Sequence, residues 1–396
     1  MNKNDSEIIS SILEGLGYRP VDYHNNADLV LLNTCSVREK AELKAYGRLG
    51  ELKYLKETSR PDLIIGVIGC MPQYQKEEVF KKAPYVDFII GTLNIYHLPQ
   101  ILERVKQGEK QVLEILDRRS DTGNRRSEIR DPRSEVRGQM SDVRGRMSEI
   151  RGQDEIIDAN DYWTNPKRES LYQAWISIMY GCDNFCSYCI VPFTRGREIS
   201  RPKEEIFNEI KNLDKSIYKD IVLLGQNVNS YGKNLYKDYN FADLLNDISK
   251  IENINTIEFL TSHPKDMSEK LIETISKIDK IKKSIHLPLQ SGDNYILKMM
   301  NRDYTYEDYK NLYFKIKKII PNAEISTDLI AGFPGETEDM FQNTLNAVKE
   351  LKFQRVNTAA FSPRPKTRAQ NMPNQIPKNI RYKRLQILIK AIDSEL

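Results

Sequence analysis

The sequence predicts an α/β protein in two parts: an open parallel-sheet domain of the Rossmann or flavodoxin-like kind, then a partial or complete (β/α) TIM-like barrel. Three observations predict this. Short runs rich in Val and Ile alternate with charged, helix-patterned stretches over residues 1–116. About six further strand-and-helix units follow from Glu169. Between them the composition changes abruptly, and 396 residues are too many for one ordinary core.

In chain order, "NDSEIISSILEGLGY" sets Ile8, Ile9, Ile12, Leu13 and Leu16 at helical spacing, with Gly17 as its stop. The runs "ADLVLLNTC", "DLIIGVIGC" and "VDFIIG" then read as buried parallel strands. Two of them finish on cysteines, Cys35 and Cys70. Ligands of open α/β sheets collect beyond the carboxyl ends of strands, so both thiols are expected at the functional edge. A doubly wound domain ordinarily starts on a strand; this chain starts on a helix, and its first strand is expected to be missing.

From Ser120 to Gln153 lysine vanishes, arginine dominates, and "SEIRDPR", "SEVRGQM", "SDVRGRM" and "SEIRGQ" follow one another. One strong apolar residue per unit, recurrent Gly and a Pro read as a solvated linker rather than a coiled coil. The expected organisation is an N-terminal domain over 1–116, the linker over 117–165 and the barrel over 166–396. In the barrel, "AWISIMYG", "DIVLLGQNVN", "TIEFLTSHP", "KSIHLPLQSG", "EISTDLIAGFPG" and "RVNTAAFSPRP" are the candidate strands. Helices such as "SEKLIETISKI" and "TYEDYKNLYFKIKKI" lie between them, and chemistry is expected in the loops after the strands.

Sixty Lys and Arg against 56 Asp and Glu leave +4, which permits an anionic partner without demanding one. No apolar run of about 18 residues and no leader pattern occur, so a cytoplasmic protein with no membrane association is expected. Five cysteines in so long a chain do not resemble a secreted disulfide framework; clustered in a reducing compartment, they point to metal binding or redox work.

Three of them, Cys182, Cys186 and Cys189, stand at C-x3-C-x2-C in "MYGCDNFCSYCIVPFTRGR", with no fourth. Structural zinc uses closed four-ligand sites, and His97 and His263 are far away in sequence, although a distant ligand stays open. A cluster held by three thiolates explains the spacing better, because one iron keeps an open position for a small molecule.

This loop, following a first barrel strand and with Tyr188 before its last cysteine, resembles the radical S-adenosylmethionine superfamily. "NTCSVREKAELKAYGRLGELK", "GVIGCMPQ", "GCDNFCSYCIVPFTRGREISRP", "LLGQNVNSYG", "FLTSHP", "HLPLQSG", "STDLIAGFPGET" and "FSPRPKTRA" together resemble the methylthiotransferases, most of all the branch acting on isopentenyladenosine in tRNA. The resemblance implies that Cys182, Cys186 and Cys189 hold a 4Fe-4S cluster whose unique iron is chelated by S-adenosylmethionine. Reduction then releases a 5′-deoxyadenosyl radical, and a second S-adenosylmethionine supplies the methyl group, carried on sulfur at a second 4Fe-4S cluster. Cys35 and Cys70 match two of that cluster's three ligands. The third position falls just before Met1, so the second cluster is expected to be incomplete.

The resemblance further implies that the backbone of "AGFPGE", with Gly332 and Gly335, approaches the adenine of the cofactor, where glycine permits close contact. Tyr188 is counted with the cofactor-binding residues. Gln226 and Asn227 could bond the amino end of the cofactor or the target base, or merely cap a helix. Arg195, Arg197 and Arg201 could pair with cofactor carboxylate or RNA phosphate, or lie on a solvated surface. His263 and His286 end barrel strands and either line the cavity or are satisfied structural residues. No residue is assigned as catalytic.

The implied product is a methylthio group at carbon 2 of isopentenyladenosine beside the anticodon. The implied partners are tRNA and an electron donor of flavodoxin or ferredoxin type, for a monomeric enzyme. A C-terminal β-rich RNA-binding TRAM domain is expected to be absent. The alternatives are a methylthiotransferase for threonylcarbamoyladenosine in tRNA or for a ribosomal-protein aspartate, a non-catalytic zinc or RNA-binding protein, and an inactive fragment binding one cluster only.

Overall fold

The computed structural model describes residues 2–36, 39–116, 168, 170 and 172–394. The arginine-rich repeat and the linker expected over 117–165 lie outside the described residues. Helix Asn2–Gly15 precedes a parallel sheet of β1 (Leu29–Thr34), β2 (Ile64–Gly69), β3 (Phe88–Ile90) and β4 (Val112–Glu114), in that spatial order. The first three are the runs that read as strands. The fourth, three residues long, offers no run to read.

Strand alternation covers both faces of this sheet. Ile65, Val67 and Ile89 pack with Leu49 and Leu52 of helix Glu39–Thr58. Ile68, Phe88 and Ile90 pack on the other side with Ile8 and Ile9 of the first helix and Leu98 and Ile101 of helix Leu98–Lys106. Gly66 is required here, since a Cβ would collide with the Phe88 ring. Among the described residues β1 pairs with β2 alone and so forms one edge of the sheet.

All six segments read as barrel strands are strands. β5 (Gln173–Ser177) leads directly into β6 (Met179–Tyr180), which pairs antiparallel with β7 (Ile199–Ser200). β5 lies parallel to β8 (Asp220–Leu224), which lies parallel to β9 (Thr256–Phe259). β10 (Ser284–His286), β11 (Glu324–Ala331) and β12 (Arg355–Ala360) form a second parallel group. A parallel bridge from Ile257 to Ile281 joins the two groups. Among the described residues no pairing closes β12 onto β5.

The intervening helices follow their sequence signals. Helix Glu269–Lys277 buries Leu271, Ile272 and Ile275, and the Ser268 hydroxyl accepts from Leu271 N–H at 3.2 Å. Helix Tyr306–Ile319 starts on a capping box formed by Thr305 and Asp308. Among the described residues no helix is long and apolar enough to cross a membrane.

Buried ion pairs join the first helix to the barrel. Asp5 lies 2.7 Å from Arg195, and Glu7 lies 3.3 Å from Arg168. Arg168 and Arg201 share Glu209, and Arg364 meets Glu42 at 2.7 Å. These pairs correct the reading of Arg195 and Arg201 as ligands of anions or as surface residues: both are buried, with carboxylates of this chain as their partners. Arg197 alone of the three is exposed, and it meets Asp183 at 3.0 Å.

Candidate functional site

The three-cysteine loop leaves β6 through Gly181, whose φ is +76° and where a Cβ would run into the Arg197 carbonyl. Cys182 N–H donates to Gly196 O at 3.2 Å and Cys189 N–H to Cys186 O at 2.9 Å, folding the loop onto its own return path. The last residue of helix Asn294–Met299 and the two that follow it brace the loop from outside. Ser187 donates its N–H to Met300 O at 2.9 Å and its hydroxyl to Met299 O at 2.8 Å. Asn301 Nδ2 donates to the carbonyls of Asn184 and Phe185, each at 3.2 Å.

Cys182 and Cys186 are buried and Cys189 is half-buried. Burial pushes the Cys182 thiol up to about 11, and burial with the neighbouring Cys186 pushes Cys189 up to about 12. Thiols in this state hold their protons until iron displaces them. Arg302 Nη1 donates to Cys186 Sγ at 3.4 Å. Among the described residues no group of three or more His, Cys, Asp or Glu is arranged as a metal-ion site. Two buried thiols and a half-buried one in electrostatic contact, one with a cationic donor, fit a cluster.

Tyr188 packs with Ile296, Met300, Phe333 and Phe361 while staying in electrostatic reach of Cys186, Cys189 and Arg302, and so links the loop to the "AGFPGE" turn. There Gly332 (φ +78°) donates its N–H to Glu336 Oε2 at 2.8 Å, and a Cβ on Gly332 would crowd Arg381 of helix Lys378–Asp393. Gly335 (φ +83°) has open space where its Cβ would be. Glu336 is also held by Arg384 at 2.8 Å.

The ends of β8 and β9 carry buried polar atoms with no partner: Gln226 Oε1, Asn227 Oδ1, Asn229 Oδ1, Ser262 Oγ and His263 Nε2. Orphaned buried groups are costly, and atoms of this kind fit a polar ligand such as S-adenosylmethionine. Asn227 Nδ2 is fixed by Asp266 at 2.6 Å, leaving its oxygen available. His263 Nδ1 accepts from Lys265 N–H at 3.3 Å, which places the ring proton on Nε2. His286 is satisfied by Ser326 at 3.0 Å and Asp328 at 3.2 Å.

The N-terminal cysteines both follow strands at the carboxyl edge of the first sheet. The register pairs Thr34 with Gly69, so Cys35 and Cys70 leave neighbouring strands at the same level. Helix Cys70–Gln75 packs against helix Val191–Thr194, which follows Cys189, and Tyr180 Oη donates to Thr92 O at 3.2 Å across the same junction. The carboxyl edge of the first sheet thus abuts the three-cysteine loop. Sequence reading missed Arg302, Tyr304, Asn229 and Ser262. "MMNRDYT" contains an arginine beside aromatic and acidic residues, but nothing local ties it to a cysteine more than a hundred residues earlier.

Residues 176–348 match the profile of the Radical SAM superfamily, and residues 1–91 match that of the "Uncharacterized protein family UPF0004". With the three-cysteine loop on this β/α fold, these define the class: a radical S-adenosylmethionine protein, which implies a 4Fe-4S cluster and S-adenosylmethionine. The fold resembles that of the radical S-adenosylmethionine methyltransferase TsrM from Kitasatospora setae, with TM-score 0.61, 14% identity, and 93% of this chain and 71% of that one covered. It also resembles the cobalamin-dependent S-adenosylmethionine radical enzyme OxsB, with TM-score 0.54, 13% identity, and 98% and 50% covered. Among curated relatives, the tRNA-2-methylthio-N(6)-dimethylallyladenosine synthase of Clostridium tetani is 44% identical over 395 residues, 99% of this chain and 79% of that one. That of Carboxydothermus hydrogenoformans is 42% identical over 392 residues, 98% and 80%. The chain belongs to the tRNA-2-methylthio-N(6)-dimethylallyladenosine synthase family.

Proposed function

We propose that this protein installs a methylthio group on carbon 2 of N6-isopentenyladenosine beside the anticodon of tRNA. The observation that carries this reading is the 44% identity, over 99% of the chain, to a Clostridium tetani protein of that named activity. When bound, the cluster and S-adenosylmethionine supply the one-electron chemistry that opens an unactivated carbon to sulfur. Everything else falls to the chain.

Cys182, Cys186 and Cys189 hold the cluster, and the brace from Ser187 and Asn301 keeps their loop in one conformation. Gln226 Oε1 and Asn227 Oδ1 accept from the amino group of the cofactor, and His263 Nε2–H donates to an acceptor on the bound ligand. Gly332 and Gly335 shape the backbone at the adenine, while Tyr188 fills the apolar wall behind them. Cys35 and Cys70 supply two ligands to a second cluster where the first sheet meets the barrel. In domain terms, residues 1–116 carry that second site, 117–165 connect, and 166–396 carry the radical site. The target base enters unpaired, as sequence-specific readers of RNA loops require. A flavodoxin- or ferredoxin-type donor, a cytoplasmic setting and a monomeric state complete the reading.

The test is turnover by the anaerobically reconstituted chain with S-adenosylmethionine, a reductant and tRNA carrying isopentenyladenosine. The methylthio nucleoside is expected on digestion. Iron-loaded protein that leaves this tRNA unchanged but modifies threonylcarbamoyladenosine tRNA or a ribosomal protein overturns the reading.

A further inference from the structure

We propose that Arg302 is a positioning residue that raises the reduction potential of the cluster at Cys182, Cys186 and Cys189. The inference rests on the reading that Cys186 is a cluster ligand. Five arginines are buried as whole residues among the described residues, Arg195, Arg201, Arg302, Arg364 and Arg384, beside the buried side chain of Arg168 on Glu7 and Glu209. Four of them meet a carboxylate, on Asp5, Glu209, Glu42 and Glu336 respectively. Arg302 has no carboxylate partner among the described residues. A buried guanidinium without a counter-charge is expensive. The group beside it is the sulfur of Cys186, at 3.4 Å from Nη1, which carries negative charge once it ligates iron.

The rest of the guanidinium is fixed. Nε donates to Tyr304 Oη at 2.8 Å and Nη2 to Pro288 O at 2.8 Å. Tyr304 Oη in turn lies 3.0 Å from the carbonyls of Pro288 and Leu289. Asn301, the preceding residue, is tied to the cysteine loop through Asn184 and Phe185, so backbone and side chain approach the site as one unit. The fork is therefore aimed at Cys186.

The physical consequence follows from charge. Reduction adds one negative charge to a cluster already made anionic by its thiolates. A fixed cation within hydrogen-bonding distance of a ligand sulfur stabilises the reduced form more than the oxidised one. Cluster potentials respond to net charge and to hydrogen bonds to sulfur in this sense. Low surrounding dielectric strengthens the effect.

The experiment is a redox titration of the anaerobically reconstituted full chain, read by electron paramagnetic resonance of the signal that responds to S-adenosylmethionine. Arg302→Gln is expected to load iron and to lower the reduction equilibrium constant at least tenfold, a downward shift of about 59 mV for one electron. Arg302→Lys, which keeps the charge, is expected to shift less. An iron-loaded Arg302→Gln protein within threefold of wild type overturns the inference, as does a Lys variant that falls as far as the Gln variant. Should Arg302→Gln load no iron, Tyr304→Phe decides. It keeps the charge but releases its aim, so a lowered potential supports the proposal and an unchanged one overturns it. Wild-type protein that takes up no cluster overturns the cluster reading, and this inference with it.

Discussion

Arg195 Nη2 lies 2.7 Å from Asp5 Oδ2, although 190 residues separate them in the chain. Both are buried, and Arg195 Nη2 also donates to Asn2 Oδ1 at 3.0 Å, with the guanidinium over the Tyr180 ring at 5.1 Å. The pair fastens the first helix to the return path of the cysteine loop. Asp5→Ala strands a buried guanidinium and is expected to cost about 3 kcal/mol, the lower end for a broken buried pair because Asn2 and Tyr180 remain. Urea unfolding checks this. Asp5→Ala with Arg195→Met should recover part of the loss, whereas a double variant no more stable than the single would assign the cost to something other than the unpaired charge.

The cysteines divide into two groups with separable readouts. Replacing Cys182, Cys186 or Cys189 with Ala should remove about 4 irons per chain after anaerobic reconstitution. Replacing Cys35 or Cys70 should leave those irons and their response to S-adenosylmethionine intact. Iron and sulfide analysis of the five single variants distinguishes the groups. Equal iron content across all five would contradict the assignment.

Gln226 and Asn227 are the expected anchors for the amino end of S-adenosylmethionine. Gln226→Ala and Asn227→Ala should each weaken its binding about tenfold, the value of a lost charge-assisted hydrogen bond. Iron content should stay at the wild-type level. Equilibrium binding of S-adenosylmethionine to the reconstituted protein supplies the comparison, and unchanged affinity in both variants would return these residues to a structural role.

His263 has its basicity pushed down to about 2, by burial first and then by the positive charges of Arg302, Lys265 and Lys233. The folded ring therefore stays neutral while the unfolded ring protonates below pH about 6.5. In that window the unfolded state binds the extra proton, so stability falls as pH falls, by about 1.4 kcal/mol per pH unit. His263→Asn should flatten this slope between about pH 6 and 4 in iron-free protein, measured by urea midpoints. Parallel pH profiles for the two proteins would contradict it.

Local pattern revealed most of the fold because each barrel strand is an apolar run ending in a Gly- or Pro-rich loop. β4 escaped because Val112–Glu114 is too short to form one. The three-cysteine loop was legible because its ligands lie within eight residues, from Cys182 to Cys189. Arg195 was not, because its partner Asp5 comes from the opposite end of the chain. Arg302 was hidden for the same reason: its partner is Cys186, 116 residues earlier. The orphaned Ser262 Oγ and His263 Nε2 became visible only once burial and hydrogen bonds were known together.

The most direct test of the central claim is nucleoside analysis of tRNA from cells lacking this gene, with and without its re-expression. The account predicts loss of 2-methylthio-N6-isopentenyladenosine, accumulation of N6-isopentenyladenosine, and restoration by the wild-type gene but not by Cys186→Ala. An unchanged methylthio nucleoside in the deletion strain, alongside a lost modification on a ribosomal protein, would contradict it.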